Sequence, residues 1–239
     1  MSALGRPRLH LRSTDSTNER ARTLAIAGAP HGTLVTASLQ TAGRGRQGRR
    51  WIAAANSSLL MSLILSSPPA LLPLIAAVAV CDVARADAGI KWPNDVVVPR
   101  AGGLAKLAGV LAEGRPQQGW AILGIGLNVA VRPEEMPPEL REKTATLGLS
   151  PREIEPTLQA LLGALERRLG EEEGATLTAW RALDALRGRE IAWGAREQQG
   201  ELQRGRAEGI DGTGRLVVAL PGGGHTTLAA GEVHLRDAP

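Results

Sequence analysis

A single cysteine, Cys81, stands in the whole sequence. No intrachain disulfide and no cysteine-built metal site can come from it, and a reducing, cytoplasmic setting suits such a chain. The four histidines, His10, His31, His225 and His234, are scattered without metal-ligand spacing, which argues against a zinc site. Net charge is small as well. A formal +4 over 239 residues falls well short of a protein that neutralises many phosphates along a duplex, and points to one or a few phosphates instead. The start, MSALGRPRLH, lacks the long apolar core of a secretory signal. Between Ile52 and Cys81 there is no charge, yet Pro68, Pro69 and Pro73 interrupt the stretch and leave no membrane-length helix. Phenylalanine and tyrosine are missing altogether, and three lysines face 25 arginines, a bias that a drift toward GC-rich codons explains. Survivors of that drift carry information. Where arginine has replaced nearly every lysine, a retained lysine marks a place that needs a compact ammonium rather than a planar fork.

What is present is enough for one sizeable core and a small additional module: 43% of the residues are hydrophobic. LHLRSTDSTNERARTLAIAGA reads as a strand, a turn and a helix, with Ser16 and Glu19 spaced as a capping box. GTLVTASLQ and SSLLMSLIL read as strands, and LLPLIAAVAVCDVARADAG as a core helix ended by Gly89. GIKWPNDVVV and KLAGVLAE form two strands around a loop holding Gly102 and Gly103, GWAILGIGLNVAV a third, and two helices follow over 151–187. Strands in a row followed by helices predict an α+β domain with a mixed, largely antiparallel sheet over residues 1–187. From Arg189 onward the runs shorten and alternate, separated by IDGTG and PGGGH, which predicts a small all-β module over 188–239.

The most conspicuous stretch is QTAGRGRQGRRW, residues 40–51, with four arginines and three glycines. It lacks the GK[ST] of a Walker loop and is followed by a strand rather than a helix, and it is no dinucleotide fingerprint either. Glycines let a backbone approach a ligand closely, and Arg44 and Arg46 can fork onto phosphate or carboxylate oxygens. By itself the loop is compatible with a solvated basic hairpin. Two of the three lysines, Lys91 and Lys106, lie in the motifs KWPND and KLAGVLAE, and three of the four asparagines, Asn18, Asn94 and Asn128, lie in DSTN, KWPND and GIGLN.

In that order, DSTN, QTAGRGRQGRRW, KWPND, KLAGVLAE and GIGLN resemble the motif set of the biotin protein ligases. The resemblance is strongest over residues 15–129. It implies a class II synthetase-like catalytic domain followed by a small SH3-like β-barrel. It also implies an enzyme that joins biotin to AMP using ATP with Mg²⁺, releases pyrophosphate, and passes biotin to a lysine of a biotin carboxyl carrier protein. DSTN begins at residue 15, so no N-terminal DNA-binding domain is expected. Neither a nucleic-acid nor a membrane partner is expected, and both monomer and homodimer stay open.

The same resemblance implies the site. Arg46, Lys106, Lys91 and Asp95 are the expected catalytic residues. Ser16, Thr17, Asn18, Gln40, Arg44, Lys106 and Gly109 are the expected biotin contacts, and Arg44, Arg46, Lys91, Asn94 and Asn128 the expected nucleotide contacts. No metal site is expected from protein ligands alone: Mg²⁺ would arrive with ATP, with Asp95 able to orient it. Ser16 is equally readable as a helix cap, Asp95 as a turn residue after a proline, and Trp51 and Trp92 as core packing. Arg49 and Arg50 are outer contacts or solvated charges. No aromatic residue follows GIGLN to form an adenine wall, which leaves aliphatic contacts such as Leu147. Lipoate ligases and octanoyltransferases share the catalytic fold and form the nearest alternative, and a biotin-sensing protein without turnover is a second.

Overall fold

The computed structural model describes residues 4–84, 86–115, 119–194, 202–229, 231 and 233–235. Its first sheet has seven strands in the order β1-β2-β3-β7-β6-β5-β4. These are β1 (Arg8–Leu11), β2 (Leu34–Ala37), β3 (Ser58–Ser66), β4 (Gly89–Lys91), β5 (Asp95–Arg100), β6 (Gly103–Arg115) and β7 (Trp120–Asn128). β1 and β2 run parallel and every other pair in this sheet is antiparallel, so the sheet is mixed as the sequence pattern predicts. A parallel pair needs a crossover, and helix α1 (Thr17–Ile26) supplies it between β1 and β2.

Side chains alternate across a strand, and β7 shows what that does here. Leu123, Ile125 and Leu127 join the main core beneath α2 (Leu72–Val83) and α4 (Ile154–Leu169). Ile122 points the other way, into the smaller cluster with Ala21, Ala25, Val35 and Ile64 under α1. Gly124 and Gly126 share the face of Ile122, and a Cβ on either would strike the Asn18 or Trp51 side chain. Glycine at alternate positions thus clears one face of the central strand of side chains. That cleared face becomes the floor of a cleft.

Two short helices, α3 (Pro138–Arg141) and α5 (Glu173–Ala182), complete this half of the molecule. A second sheet follows from Glu190, with five strands in the order β11-β10-β9-β8-β12. They are β8 (Glu190–Trp193), β9 (Gln203–Ile210), β10 (Leu216–Ala219), β11 (His225–Leu228) and β12 (Val233–Leu235), all antiparallel. Among the described residues no pairing joins β11 to β12, so the expected barrel is seen as an open five-stranded sheet. The two sheets share one apolar core: Ile191, Trp193, Ala207, Leu216, Val218 and Val233 cluster with Trp92, Trp180 and Leu186. Trp92 is 2% exposed and its indole Nε1 donates to Gly214 O at 3.0 Å, so this tryptophan packs in the core and ties the sheets together.

Three local expectations are corrected. Helix α2 ends at Val83, and Gly89 opens β4 instead of closing the helix, because Ala84 is already extended. GIKWPNDVVV is two strands, not one, folded at Trp92–Asn94 so that Lys91 pairs with Asp95. Ser16 occupies the N-cap position of α1 but its side chain makes no capping hydrogen bond. One orphan donor there finds another partner, Thr17 N donating to Gln40 Oε1 at 2.7 Å, and Glu19 turns outward to accept from Arg44.

Candidate active site

The cleft lies between the N-terminus of α1, the arginine loop, the β4–β5 hairpin and the glycine-cleared face of β6 and β7, with Gly231 and, in β12, Val233 at its border. It encloses about 950 Å³ of space, part of it open to solvent. Six cationic side chains line it, Arg44, Arg46, Arg49, Arg50, Lys91 and Lys106, against one carboxylate, Asp95, among the described residues. A concave surface with that imbalance attracts anions and strengthens their hydrogen bonds.

Lys106 reaches the cleft because β6 is irregular. The pairing with β5 slips between Val96 and Val97, so Ala108 pairs with Val96, Lys106 with Val97, and Leu107 is the extra residue. This bulge places Lys106 and Gly109 on one face although they are three apart in sequence, and a Cβ on Gly109 would sit 3.2 Å from Lys106 Nζ. The Lys106 backbone is held on its other side: its N–H donates to Lys143 O at 2.7 Å, and its C=O accepts from Ala145 N at 2.8 Å and from Asn128 Nδ2 at 3.3 Å. Lys106 Nζ meets Asp95 Oδ1 at 2.6 Å. Lys91 stands across the hairpin from Asp95. Burial lowers the Lys91 pKa, Asp95 partly offsets this, and the like charges of Lys106 and Arg49 push the same way as burial.

The loop folds over this group. Gly45 N donates to Arg49 O at 2.8 Å, Trp51 N donates to Gly43 O at 3.0 Å, and a short 3-10 turn spans Arg46–Gly48. Gln47 sits in left-handed backbone space at φ 53°, where non-glycine residues are uncommon. The turn brings Arg46 inward, and its Nη1 donates to Asn94 Oδ1 at 3.4 Å. Burial lowers the Arg46 pKa and the Asp95 charge raises it in part, as fits a guanidinium partly withdrawn from water near a carboxylate. Asn94 is itself anchored, its Nδ2 donating to Val110 O at 2.8 Å.

The opposite end of the cleft is polar but not cationic. Gln40 Oε1 accepts from Thr17 N at 2.7 Å and Thr17 Oγ1 at 3.0 Å, which leaves the Gln40 amide nitrogen with no hydrogen-bond acceptor among the described residues. Ser62 Oγ lies 2.8 Å from Thr17 Oγ1 and 2.6 Å from Asn18 Oδ1. Ser16, Thr17 and Asn18 are all buried. Such a pocket presents a few fixed donors and acceptors to a neutral polar head group.

The structure therefore gathers Ser16, Thr17, Asn18, Gln40, Arg44, Arg46, Lys91, Asn94, Asp95, Lys106 and Gly109 around one cleft. Two expected residues lie elsewhere. Asn128 is 5% exposed, and its side chain is committed to Ser58 Oγ, Lys106 O and Ala145 O; it braces the Lys106 backbone from behind. Leu147 packs against the main core and its N–H donates to Asn128 O at 2.9 Å. Arg44 borders the cleft, yet its guanidinium faces Glu19 at 2.9 Å and Glu113 at 3.4 Å rather than the cluster around Asp95.

Sequence reasoning missed Trp51 and Glu113. Trp51 lies on the cross-strand pair Gly109 and Gly126 and its ring centroid is 5.6 Å from Lys106 Nζ, so it is a wall of the cleft and not core packing. Its position at the end of the loop motif was the available signal. Glu113 shares the cleft-side face of β6 with Gly109 and Leu111, and its charge partners, Arg22 and Arg44, come from distant segments that no local pattern reveals.

No cluster of three or more His, Cys, Asp or Glu side chains among the described residues could hold a metal ion. No helix among them is long and apolar enough to cross a membrane.

Comparison with known proteins agrees with this geometry. Residues 10–129 match the biotin/lipoate A/B protein ligase family, and residues 195–236 match the biotin protein ligase C-terminal domain. A biotin–[acetyl-CoA-carboxylase] ligase of Mycobacterium tuberculosis is 36% identical, covering 93% of this chain and 87% of the relative. The Paracoccus denitrificans protein of the same name is 33% identical over 92% of this chain and 97% of its own length. The solved biotin protein ligase of Aquifex aeolicus in complex with biotin and ATP superposes with a TM-score of 0.80 at 25% identity, covering 98% of this chain and 100% of that one. A family match over half the chain, full-length relatives and a cleft built from the matched segments lead to one conclusion: the chain belongs to the biotin/lipoate A/B protein ligase family.

Proposed function

We propose that this protein is an ATP-dependent biotin protein ligase. The observation that carries the reading is the division of one cleft into a neutral polar pocket at Ser16, Thr17, Asn18 and Gln40 and a cationic end at Arg46, Lys91 and Lys106. Biotin, a neutral bicyclic urea on a carboxylate-bearing chain, fits that polarity, with its carboxylate delivered to the end where a triphosphate binds. The relatives named as biotin ligases and the solved complex with biotin and ATP support the choice of acid.

In the first step a biotin carboxylate oxygen bonds to the α-phosphorus of ATP while the bond to pyrophosphate breaks. Two anions approach and charge builds on the phosphoryl oxygens, so positioning and cationic stabilisation are the protein's tasks. Lys106 stands at the meeting point of the two anions, Arg46 closes from the loop, and Lys91 faces the phosphates. Asp95 holds Lys106 in place. In the second step the ε-amine of a carrier lysine attacks the acyl carbon, AMP leaves and the amine gives up a proton. Asp95 is the carboxylate lining the cleft among the described residues, and takes that role. Mg²⁺ would neutralise the nucleotide and arrive as part of the Mg-ATP substrate, with Asp95 able to orient it.

The carrier is a biotin carboxyl carrier protein, and the reaction takes place in the cytoplasm, where such carriers and ATP meet. The test is pyrophosphate release from Mg-ATP with biotin or with lipoate, followed by mass analysis of an added carrier domain. Release with biotin and one biotin added per carrier is the expected result. Release with lipoate alone would move the chain to the other branch of its family, and no release with either acid would leave a binding protein on a ligase frame.

A further inference from the structure

We propose that Glu113 is a positioning residue that joins the biotin pocket to the arginine loop; the inference rests on the biotin ligase reading above. Its two carboxylate oxygens serve different masters. Oε2 accepts from Asn18 Nδ2 at 2.8 Å. Oε1 accepts from Arg22 Nη2 at 2.8 Å and lies 3.4 Å from Arg44 Nη2.

The first contact fixes an orientation. An amide side chain can be turned either way round, and a carboxylate only accepts hydrogen bonds. Asn18 must therefore offer its NH₂ to Glu113 and its carbonyl to Ser62, whose hydroxyl donates to Asn18 Oδ1 at 2.6 Å. Ser62 in turn lies 2.8 Å from Thr17 Oγ1, which donates to Gln40 Oε1. The part-buried charge of Glu113 thus fixes the Asn18 amide and, through it, the Ser62 hydroxyl, while the Gln40 amide is set separately by the Thr17 N–H. Neither Asn18 nor Glu113 needs to touch the acid for this to matter.

The second contact fixes a place. Arg44 is the first arginine of the loop, and its guanidinium is clamped between Glu19 on α1 and Glu113 on β6. Its side chain serves as a fastener for the root of the loop, while Arg46, two residues on, remains directed at the reaction centre. Glu113 thereby makes pocket and loop share one anchor. Loss of the charge should loosen the pocket and the root of the loop together and disturb the nucleotide end far less, because Arg46 keeps its own hold on Asn94.

The experiment is steady-state pyrophosphate release by Glu113→Gln, Arg44→Gln and the double variant, with biotin and ATP titrated separately and melting curves recorded alongside. The glutamine at 113 keeps the shape but can no longer serve two guanidiniums and the Asn18 amide at once. The expected result is a rise in the biotin KM of about tenfold for either single variant, an ATP KM within about twofold of wild type, and a double variant no worse than the worse single. Equal rises in both KM values, additive losses in the double variant, or an unchanged biotin KM would overturn the inference. If Glu113→Gln does not fold, Arg44→Gln, changed at a half-exposed side chain, carries the same comparison. Wild-type protein that fails with biotin in this assay refutes the substrate reading, whereas a working wild type with indifferent variants refutes only the role of Glu113.

Discussion

Replacing Gly126 by alanine adds one methyl group at the centre of the cleft. The backbone there tolerates any residue, so the effect is one of space. A Cβ at 126 would lie 2.6 Å from Trp51 Cε2 and 2.9 Å from Cδ2 and Cζ2, whereas ordinary carbon contacts begin near 3.4 Å. Moving the methyl away would bend β7 between two antiparallel partners, so the indole must retreat by roughly 1 Å. It cannot do so freely, because Gly109 lies under the same ring and Trp51 N is tied to Gly43 O. Overpacking of this kind costs roughly 1–3 kcal/mol. The ring is a wall of the cleft, so a displaced indole intrudes on the space a ligand would fill, and about 1.4 kcal/mol is a factor of ten in affinity. We expect kcat/KM for pyrophosphate release to fall by about tenfold or more. Trimming the ring should restore room: Trp51→Leu combined with Gly126→Ala should be less impaired than the two single effects multiplied. Strictly independent effects, or a Gly126→Ala enzyme with wild-type kcat/KM, would refute the packing argument.

Lys106→Ala should slow pyrophosphate formation by about 10²-fold or more, the scale for losing one charge contact made in the transition state, and single-turnover measurement with saturating ATP checks it; an unaltered rate removes Lys106 from the chemistry. Arg46→Gly should release the acyl-adenylate before transfer, seen as biotin spread over surface lysines of a bystander protein, and wild-type selectivity for the carrier would count against the loop as a lid. Asp184 has a pKa raised by burial above 3.8, with hydrogen bonds from the Leu186 and Arg187 backbones acting in the opposite direction. Because folding favours its protonated form, the stability tied to it is complete below pH 3.8 and lost as pH rises through the raised folded value. Asp184→Asn should therefore raise the melting temperature at neutral pH, with the gain shrinking in acid; a gain independent of pH would point to packing instead of charge.

Much of this site was readable before the fold was known, and the reason is chemical. Anion chemistry selects arginine and lysine, and in a sequence with 25 arginines the survival of Lys91 and Lys106 in short motifs pointed to the cleft that both of them line. The strands themselves followed from alternation, and in β7 Leu123, Ile125 and Leu127 face a core while Gly124 and Gly126 face a cleft, but their order in the sheet is set by tertiary pairing. What could not be read were decisions made between distant segments. The Ser16–Glu19 spacing suggests a capping box, but Gln40 captures the helix N-terminus and Arg44 captures Glu19, two competitors that only tertiary contact supplies. Asn128 sits in a motif beside glycines and reads as a ligand contact, yet three hydrogen bonds commit it to the rear of Lys106. The bulge at Leu107, which turns Lys106 into the cleft, depends on pairing with Val96 and Val97 and leaves no trace in KLAGVLAE itself.

Because the apolar core passes unbroken from the first sheet to the second, the chain can be cut without being divided. A nick near Gly188 would leave Trp193, Leu216 and Val218 of one piece against Trp92, Trp180 and Leu186 of the other, with the Trp92–Gly214 hydrogen bond spanning the seam. On a denaturing gel such a molecule would show two bands; in gel filtration it would run as one particle. Either piece made alone would expose that greasy seam to water and clump, while the two made in the same cell would find each other and refold as partners.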